Sequence, residues 1–322
     1  MTASPQVSVV IPVYNEEAGL VALFDRLYPA LDRLGVSYEV VFVDDGSRDR
    51  SAAMLKDAFL RRPDVTRVIL FHANYGQHMA IVAAFDHCRG ERIVTLDADL
   101  QNPPEEIAKL LAAMDAGHDY VGGIRRTRED SWWRRVASRL MNRVRERVTR
   151  IKMTDQGCML RAYSRDIVRA IAASREISTY IPALAYTYAH DPTEVEVEHA
   201  ERAAGESKYS IYRLIRLNFD LITGFSLVPL QLFSMFGMLV SVGAVITYLI
   251  VIAERLLRAG WRAGFETLWD RDILAFFLLG MVLFGLGLVG EYVGRIYQQV
   301  RERPRYTIRA VLERDAGDAP PP

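Results

Sequence analysis

Two aspartates separated by one residue stand at the end of an apolar run and have the spacing of a cation site. Asp97 and Asp99 follow the run at residues 92–96, and Gln101 comes two positions later. In extended backbone, residues i and i+2 point the same way, so the three side chains are expected to face one point. Oxygen ligands in this arrangement suit Mg²⁺ or Mn²⁺. A solvated acidic turn is the alternative, and we predict a metal site because two other loops are also acidic.

These other acidic loops follow apolar runs earlier in the chain. PVYNEE occupies residues 12–17 and DDGSRD occupies residues 44–49. Asp44 and Asp45 are candidates for further metal ligands. We favour two other roles for them, an acceptor for a nucleotide base and a side chain that shapes a turn. No GxGxxG motif follows the first predicted strand, and GxxxxGK[ST] and GxSxG are absent from the sequence. The sequence therefore predicts a nucleotide site that handles phosphate with a metal ion rather than with glycine amides.

An arginine-rich segment occupies residues 125–150. It carries ten arginines against three acidic residues, and from Ser131 onward apolar and basic residues each recur every four positions. This pattern predicts a basic amphipathic helix, which suits a membrane surface or a ligand rich in phosphate. A solvated charged face is the alternative. Nucleic acid is disfavoured as a partner because no aromatic residues are interleaved with the arginines as a stacking platform.

The elements that must position these residues alternate along the first two hundred residues. Apolar runs predict strands at residues 7–13, 38–43, 66–71, 92–96 and 120–123, and helical periodicity separates them. Such alternation predicts a doubly wound, mostly parallel, Rossmann-like α/β sheet. Ligands of such sheets bind off the carboxyl ends of the strands, where the three acidic loops fall.

Two runs without any charged residue follow this part of the chain. They cover 33 residues at 221–253 and 18 residues at 273–290. A membrane-spanning helix needs about 20 apolar residues, and apolar residues after Glu291 extend the second run. We therefore predict two transmembrane helices at about 229–253 and 273–293. Two buried helices of a soluble protein are the alternative, disfavoured because such helices rarely stay apolar on every face.

Composition and flanking charges indicate the compartment. The 322 residues carry 40 basic and 40 acidic side chains, and the two cysteines form no metal or disulfide motif, which fits a reducing environment. The first residues lack the pattern of a signal peptide. Two spans return the chain to its starting side, and the arginines near both ends favour the cytoplasm for that side.

Four segments together resemble a known family. They are IPVYNEE at 11–17, VDDGS at 43–47, LDADLQNPPEE at 96–106 and GESKY at 205–209. In combination they are similar to family-2 glycosyltransferases with a GT-A fold, specifically those that load a sugar onto a polyisoprenyl phosphate. Four further segments resemble the branch of this family that uses a formamido-arabinose: NYGQHMA at 74–80, DSWWRRVASRLMNR at 130–143, GCMLRAY at 157–163 and STYIPALA at 178–185.

The resemblance implies a role for each matched residue. It implies nucleotide contacts for Pro12, Tyr14, Glu16, Asp44 and Asp97. It implies a bound Mg²⁺ or Mn²⁺ at Asp97, Asp99 and Gln101. It implies contacts to the phosphates of donor or acceptor for Arg125, Arg134, Ser138 and Arg202. It implies that Asp155 and Asp99 are the catalytic carboxylates. Around Asp155, the segment TDQGC at 154–158 departs from the family pattern just before the Gly-Cys pair.

The function implied by the resemblance is transfer of 4-deoxy-4-formamido-L-arabinose from UDP to undecaprenyl phosphate, with inversion. Such a reaction serves lipid A modification and polymyxin resistance at the bacterial inner membrane. A glucosyl- or hexosyltransferase acting on the same lipid is one alternative, and a non-catalytic membrane scaffold is another.

The expected organisation has four parts. They are a cytosolic catalytic domain at 1–206, an amphipathic juxtamembrane segment at 207–226, a two-helix membrane region at 227–297 and a cytosolic tail at 298–322. The glycines between residues 280 and 294 are compatible with close helix packing within a subunit or in a homo-oligomer.

Overall fold

The computed structural model describes most of the first two hundred residues and part of the remainder. Described are residues 4–125, 153–155, 157–174, 180–199, 230–233, 235–237, 239–240, 242–243, 246, 271–300 and 304–314. The chain divides into two compact units. Residues 1–209 and 303–322 form the first unit, and residues 210–302 form the second.

The first unit is built on one sheet of eight described strands. The strands are β1 (Val7–Val13), β2 (Tyr38–Asp44), β3 (Thr66–Phe71), β4 (Arg92–Thr95), β5 (Tyr120–Arg125), β6 (Arg161–Ser164), β7 (Pro192–Val197) and β8 (Ile308–Leu312). Their order across the sheet is β7-β5-β6-β4-β1-β2-β3-β8. The strands β4, β1, β2 and β3 are parallel neighbours, as predicted. Because β6 is antiparallel to β4 and β5, and β8 to β3, the sheet is mixed rather than mostly parallel.

The central strands of the sheet are buried along their whole length because helices cover the sheet. Every residue of β1, β2 and β3 is buried, which requires apolar cover on both faces. The helices of this unit are α1 (Leu20–Asp32), α2 (Ser51–Arg61), α3 (Gln77–His87), α4 (Ile107–Asp115), α5 (Arg165–Ala173) and α6 (Ile181–Tyr188). In α1 the buried side chains Leu20, Leu23, Leu27 and Leu31 recur every three or four residues, the spacing of one helix face.

The register of the parallel strands brings the acidic loops to one edge of the sheet. Val13, the last residue of β1, lies opposite Asp44, the last residue of β2, and Asp44 lies opposite Leu70 of β3. On the other side of β1, Val10 lies opposite Thr95, the last residue of β4. The loops that follow these strands therefore emerge side by side, as the sequence predicts.

The second unit contains the helix α7 (Arg271–Val300) and helical residues between 230 and 246. Phe233 packs against Phe284 with ring centroids 5.5 Å apart. Gly285 makes this contact possible, because a Cβ there would lie 2.2 Å from a Phe233 ring carbon. Large apolar side chains of α7 are exposed, among them Leu283, Phe284 and Leu286.

No helix among the described residues combines the length and the apolar character needed to cross a bilayer. The two spans expected at 229–253 and 273–293 therefore stay predictions.

Candidate active site

The loops after β1 and β2 are joined by reciprocal hydrogen bonds. The Asn15 main-chain N–H donates to Ser47 Oγ at 3.0 Å, and the Arg48 N–H donates to Asn15 Oδ1 at 2.8 Å. The Glu16 N–H donates to Ser51 Oγ at 2.9 Å. Asn15 adopts a φ of 56°, a left-handed conformation that asparagine tolerates better than most residues. This interlocking fixes the positions of the two acidic loops relative to each other.

The residues expected to hold the nucleoside surround this junction. Pro12 is buried within β1 opposite Val43, whereas the Tyr14 side chain is 42% exposed at the strand end. Glu16 is partly exposed. The Asp44 side chain is buried, and its Oδ1 accepts the Ser47 N–H at 3.3 Å. The structure therefore brings the four residues to the same sheet edge and leaves the Tyr14 side chain accessible to a ligand.

Asp45 anchors the loop that follows β3. Its Oδ1 accepts the Tyr75 N–H at 2.7 Å and its Oδ2 accepts the Gly76 N–H at 2.9 Å. Burial raises the pKa of this carboxyl, and the two main-chain donors act in the opposite direction. The neighbouring Gly46 has a φ of 69°, and a Cβ there would lie 2.5 Å from the carbonyl carbon of Ala73. Asp45 is thus bound to the loop before α3.

Gln77, the first residue of α3, holds the first aspartate of the DAD sequence. Its Nε2 donates to Asp97 Oδ1 at 2.7 Å. Burial, followed by the negative charge of Asp99, raises the pKa of Asp97 to about 7, and the hydrogen bond from Gln77 lowers it. The charge of Glu16 adds to the rise. The sequence alone did not identify Gln77, because its partner lies 20 residues away on another strand end.

The backbone after Asp97 differs from the extended form expected from the sequence. Residues 98–100 form a turn, Leu100 has a φ of 59°, and the Gln101 N–H donates to Asp99 Oδ1 at 3.2 Å. The extended conformation predicted for residues 97–101 is therefore wrong beyond Asp97, because the short Asp99 side chain bonds the main chain two residues on and stabilises a turn.

The chemistry of this acidic cluster fits a divalent cation. Asp97 and Asp99 are close enough for one charge to disfavour ionisation of the other, and a cation would relieve that repulsion. Among the described residues, no group of three or more His, Cys, Asp and Glu side chains is arranged as a complete metal site. Substrate phosphates and water would complete the coordination, as is usual for Mg²⁺.

Arg125 and Asp155 form a bidentate ion pair beside the acidic cluster. Arg125 Nε lies 2.6 Å from Asp155 Oδ2, and Arg125 Nη2 lies 2.7 Å from Asp155 Oδ1. The Gly157 N–H also donates to Asp155 Oδ1 at 3.0 Å. Burial on its own would raise the pKa of Asp155, but the hydrogen bonds and charge of Arg125 outweigh burial and lower that pKa. The carboxylate is therefore charged and fixed at neutral pH.

His199 is a neighbour of this pair that the sequence did not identify. It follows β7, whose last residue Val197 lies opposite Arg125 at the end of β5. Burial, and then the charge of Arg125, lower the pKa of His199, whereas the charges of Asp155 and Asp99 raise it. The half-exposed, polar strand β7 gave no signal that would have placed this histidine at the site.

Three of the expected phosphate-binding residues lie outside the described residues. They are Arg134, Ser138 and Arg202, and the arginine-rich helix predicted from Ser131 onward lies there as well. Of that group, only Arg125 is placed by the structure.

Comparison with known proteins identifies the family. The family model described as Glycosyl transferase family 2 matches residues 8–172. A protein of Edwardsiella ictaluri named undecaprenyl-phosphate 4-deoxy-4-formamido-L-arabinose transferase is 47% identical over 313 residues, which cover 97% of this chain and 96% of that relative. A protein of the same name from Aeromonas hydrophila is 47% identical over 308 residues, covering 95% and 94%.

Solved structures show a more distant similarity. Glucosyl-3-phosphoglycerate synthase from Mycobacterium tuberculosis, in complex with Mn²⁺, UDP-glucose and phosphoglyceric acid, is 16% identical with a TM-score of 0.48 and covers 68% of this chain and 78% of its own. That similarity is too low to transfer a ligand or a residue role.

The family match confirms the expected glycosyltransferase domain of GT-A type, and the relatives confirm the resemblance to the formamido-arabinose branch. The chain is a glycosyltransferase and belongs to glycosyl transferase family 2.

Proposed function

We propose that this enzyme transfers 4-deoxy-4-formamido-L-arabinose from UDP to undecaprenyl phosphate, for lipid A modification and polymyxin resistance. The observation that carries the proposal is the 47% identity to transferases of this name over nearly the full length of both chains. The strand-end cluster of carboxylates and the fixed Arg125–Asp155 pair supply chemistry that suits the reaction.

The donor occupies the sheet edge formed by the first two acidic loops in this proposal. Pro12, Tyr14, Glu16 and Asp44 contact the nucleoside, and Asp97, Asp99 and Gln101 would hold Mg²⁺ or Mn²⁺. The cation, when bound, neutralises negative charge that develops on the UDP leaving group. Gln77 keeps Asp97 oriented towards this position through its hydrogen bond.

The acceptor does not need a general base. A phosphate monoester has a second pKa of about 6 and is mostly a dianion at neutral pH. Asp155 is poorly suited to take a proton, because the ion pair with Arg125 lowers its pKa. We therefore assign Asp155 to orienting the sugar and stabilising the positive charge that develops on it as the bond to UDP breaks. A phosphate oxygen of the acceptor attacks the sugar on the face opposite to UDP, and this single displacement inverts the anomeric centre.

Arginines offset the repulsion between the two anionic substrates in this proposal. Arg125, Arg134, Ser138 and Arg202 contact the phosphates of donor or acceptor. The basic amphipathic segment draws the lipid phosphate from the bilayer surface towards the strand ends. Arg125 also acts on two carboxylates of the site. Its guanidinium fixes Asp155, and its positive charge lowers the pKa of Asp97.

A membrane location is part of the same proposal. The charge-free runs at 221–253 and 273–290 support two spans in the bacterial inner membrane, with the catalytic domain and both termini in the cytoplasm. The exposed leucine, valine and phenylalanine side chains of α7 suit contact with lipid or with a second copy of this chain.

Mass spectrometry of the lipid product tests the substrate. The full-length protein is incubated with undecaprenyl phosphate and either UDP-linked formamido-arabinose or UDP-glucose. We expect the formamido-arabinosyl lipid to form and the glucosyl lipid to be at background. Product from UDP-glucose alone would contradict the proposal and favour the hexosyltransferase alternative, and absence of both transfer and metal-dependent UDP binding would favour the scaffold.

Replacement of one acidic residue tests the metal assignment in the same assay. We expect Asp99→Ala to lower transfer by at least about a hundredfold, because loss of a metal ligand removes charge stabilisation of the leaving group. The matched control is Asp57→Ala on the exposed face of α2, which should retain full activity. Full activity of Asp99→Ala would refute the assignment.

A further inference from the structure

Arg161 is a fully buried arginine that none of the expected site roles includes. It is the first residue of β6, and its exposure is 0%. Within the described residues, every hydrogen-bond acceptor of its guanidinium is a neutral oxygen. A buried charge without a carboxylate partner is costly unless its donors are well satisfied, so the contacts that compensate for its burial indicate what the residue does.

Those contacts are made to the main-chain carbonyls of Asp155 and Cys158 and to one buried hydroxyl. Arg161 Nη2 donates to the Asp155 carbonyl at 2.7 Å, and Arg161 Nε donates to the Cys158 carbonyl at 2.8 Å. The third nitrogen, Nη1, donates to the Tyr120 hydroxyl. Tyr120 is itself buried in β5. The guanidinium therefore links β5, β6 and the main chain at Asp155 and at Cys158.

Arg125 holds the side chain of the same aspartate. The Arg125 fork binds the Asp155 carboxylate, whereas the Arg161 fork binds the Asp155 main chain. Gly157 lies against Arg125, because a Cβ there would be 2.6 Å from Arg125 Nη2. One arginine thus sets the direction of the carboxylate, and the other sets the position of the backbone from which it projects.

We infer that Arg161 is a positioning residue, which holds the main chain at Asp155 and at Cys158 so that the Asp155 carboxylate meets the sugar in a single orientation. The inference rests on the role proposed above for Asp155. A lysine cannot replace Arg161 in this role, because an ammonium group lacks the planar fork that spans two carbonyls and a hydroxyl at fixed angles.

A double-mutant cycle with full-length protein tests this inference. Arg161→Lys is expected to lower kcat between about tenfold and a hundredfold, because small misplacements of a catalytic group have effects of this size. The KM for the UDP-sugar should change by less than about twofold. In an Asp155→Asn background, Arg161→Lys should have no further effect on kcat, because the group that it positions is already lost. Arg165→Lys is the matched control, since Arg165 also donates to a carbonyl, that of Gly90, and should retain kcat.

Tyr120→Phe provides a second route to the same measurement. It keeps the ring and the arginine and removes only the hydroxyl that accepts from Nη1. We expect a smaller loss of kcat that also disappears in the Asp155→Asn background, and this cycle decides the question if Arg161→Lys fails to fold.

One outcome would overturn the inference about Arg161, and another would overturn the role proposed for Asp155. Equal losses of kcat with and without Asp155→Asn would show that Arg161 acts on stability alone and would overturn the inference. An Asp155→Asn variant with unchanged kcat would instead overturn the role proposed for Asp155, and the inference would fail with it.

Discussion

Single side chains at this site are fixed by short polar contacts rather than by apolar packing. Asp155 is held by Arg125 and Gly157, Asp97 by Gln77, and Asp45 by two main-chain N–H groups. Such hydrogen bonds to charged groups are strong and directional. The geometry at the sheet edge should therefore be sensitive to small changes in the residues that make or shield these bonds.

Gly157 provides the most direct test at the residue scale. The side chain of Gly157→Ala would lie 2.6 Å from Arg125 Nη2, so the guanidinium must shift, which disturbs the geometry of its bidentate pair with Asp155. We expect kcat for transfer to fall by about tenfold or more, because the carboxylate is then misplaced. Gly117→Ala is unsuitable as a control because its φ of 110° makes it strained.

A better control for this prediction is Gly19→Ala. A Cβ at Gly19 meets only ordinary contacts at 3.8 Å or more, and transfer should be unchanged. Steady-state kinetics of the two variants decide the question. Equal activity of Gly157→Ala and the wild type would show that the Arg125–Asp155 pair does not contribute to transfer.

His78 makes the stability of the protein depend on pH. Its Nδ1 is buried and has no hydrogen-bond partner among the described residues, and its ring packs edge-on against Tyr180. Burial lowers the pKa of His78 to about 4. The unfolded chain, with an ordinary histidine pKa of about 6.5, binds a proton first as the pH falls. The stabilising effect of the neutral ring is therefore present above pH 6.5 and is lost between pH 6.5 and about 4.

Chemical denaturation across this range measures the effect. Relative to His78→Gln, the wild type should lose about 1 kcal/mol of unfolding free energy between pH 7 and pH 5.5. A constant difference between the two proteins over this range would show that the ring is not desolvated in the folded state.

At the scale of elements, β8 and the residues just before it support the loop of residues 72–76, between β3 and α3. β8 pairs with β3, and Tyr306 stacks on Phe71 with centroids 5.1 Å apart. Thr307 accepts the His72 N–H through its carbonyl and shares a hydrogen bond of 2.6 Å with the Tyr75 hydroxyl. The supported loop leads directly into Gln77, whose amide holds Asp97.

This support predicts an effect of Thr307→Val on donor binding. The variant removes the hydroxyl that pairs with Tyr75 while keeping the shape of the side chain. Loss of about 1 kcal/mol of loop ordering should raise the KM for the UDP-sugar about fivefold and leave kcat nearly unchanged. Thr187→Val in α6 is the matched control, because it also removes a hydroxyl bond, to the Ala183 carbonyl. A similar change in KM for both variants would contradict a specific role of the C-terminal strand.

The sequence predicted the central elements because their signals are local. The runs that became β1 to β4 are continuous apolar segments, and their burial on both faces explains why they could be recognised. β6 has four residues and β7 is half-exposed with polar residues. β8 pairs with a strand more than two hundred residues earlier. None of the three carries a local pattern strong enough for prediction.

The candidate site was also predicted in part, where the sequence carries a local signal. Asp44 and Asp97 were placed correctly at the ends of the two strands that flank β1, because parallel register follows from the strand pattern. The pairing of Arg125 with Asp155 was not foreseen, since it depends on the antiparallel insertion of β6 between β4 and β5. The turn at Asp99 could not be foreseen from strand alternation, because Leu100 adopts a left-handed conformation.

At the scale of the whole molecule, chemistry and apolar surface are segregated into different units. The first unit carries the acidic loops and the arginine–aspartate pair, and the second carries the exposed apolar side chains of α7. A net charge of zero over 322 residues conceals this division. It is the division expected of an enzyme with a water-soluble donor and a lipid-borne acceptor, as proposed above.

The central claim is that UDP and a divalent cation bind together at the carboxylates after β4. Anomalous diffraction from crystals of the full-length protein soaked with UDP and Mn²⁺ tests it most directly. We expect a manganese peak within coordination distance of Asp97 or Asp99 and in contact with the UDP pyrophosphate. A manganese ion bound with UDP elsewhere, away from both aspartates, would contradict it.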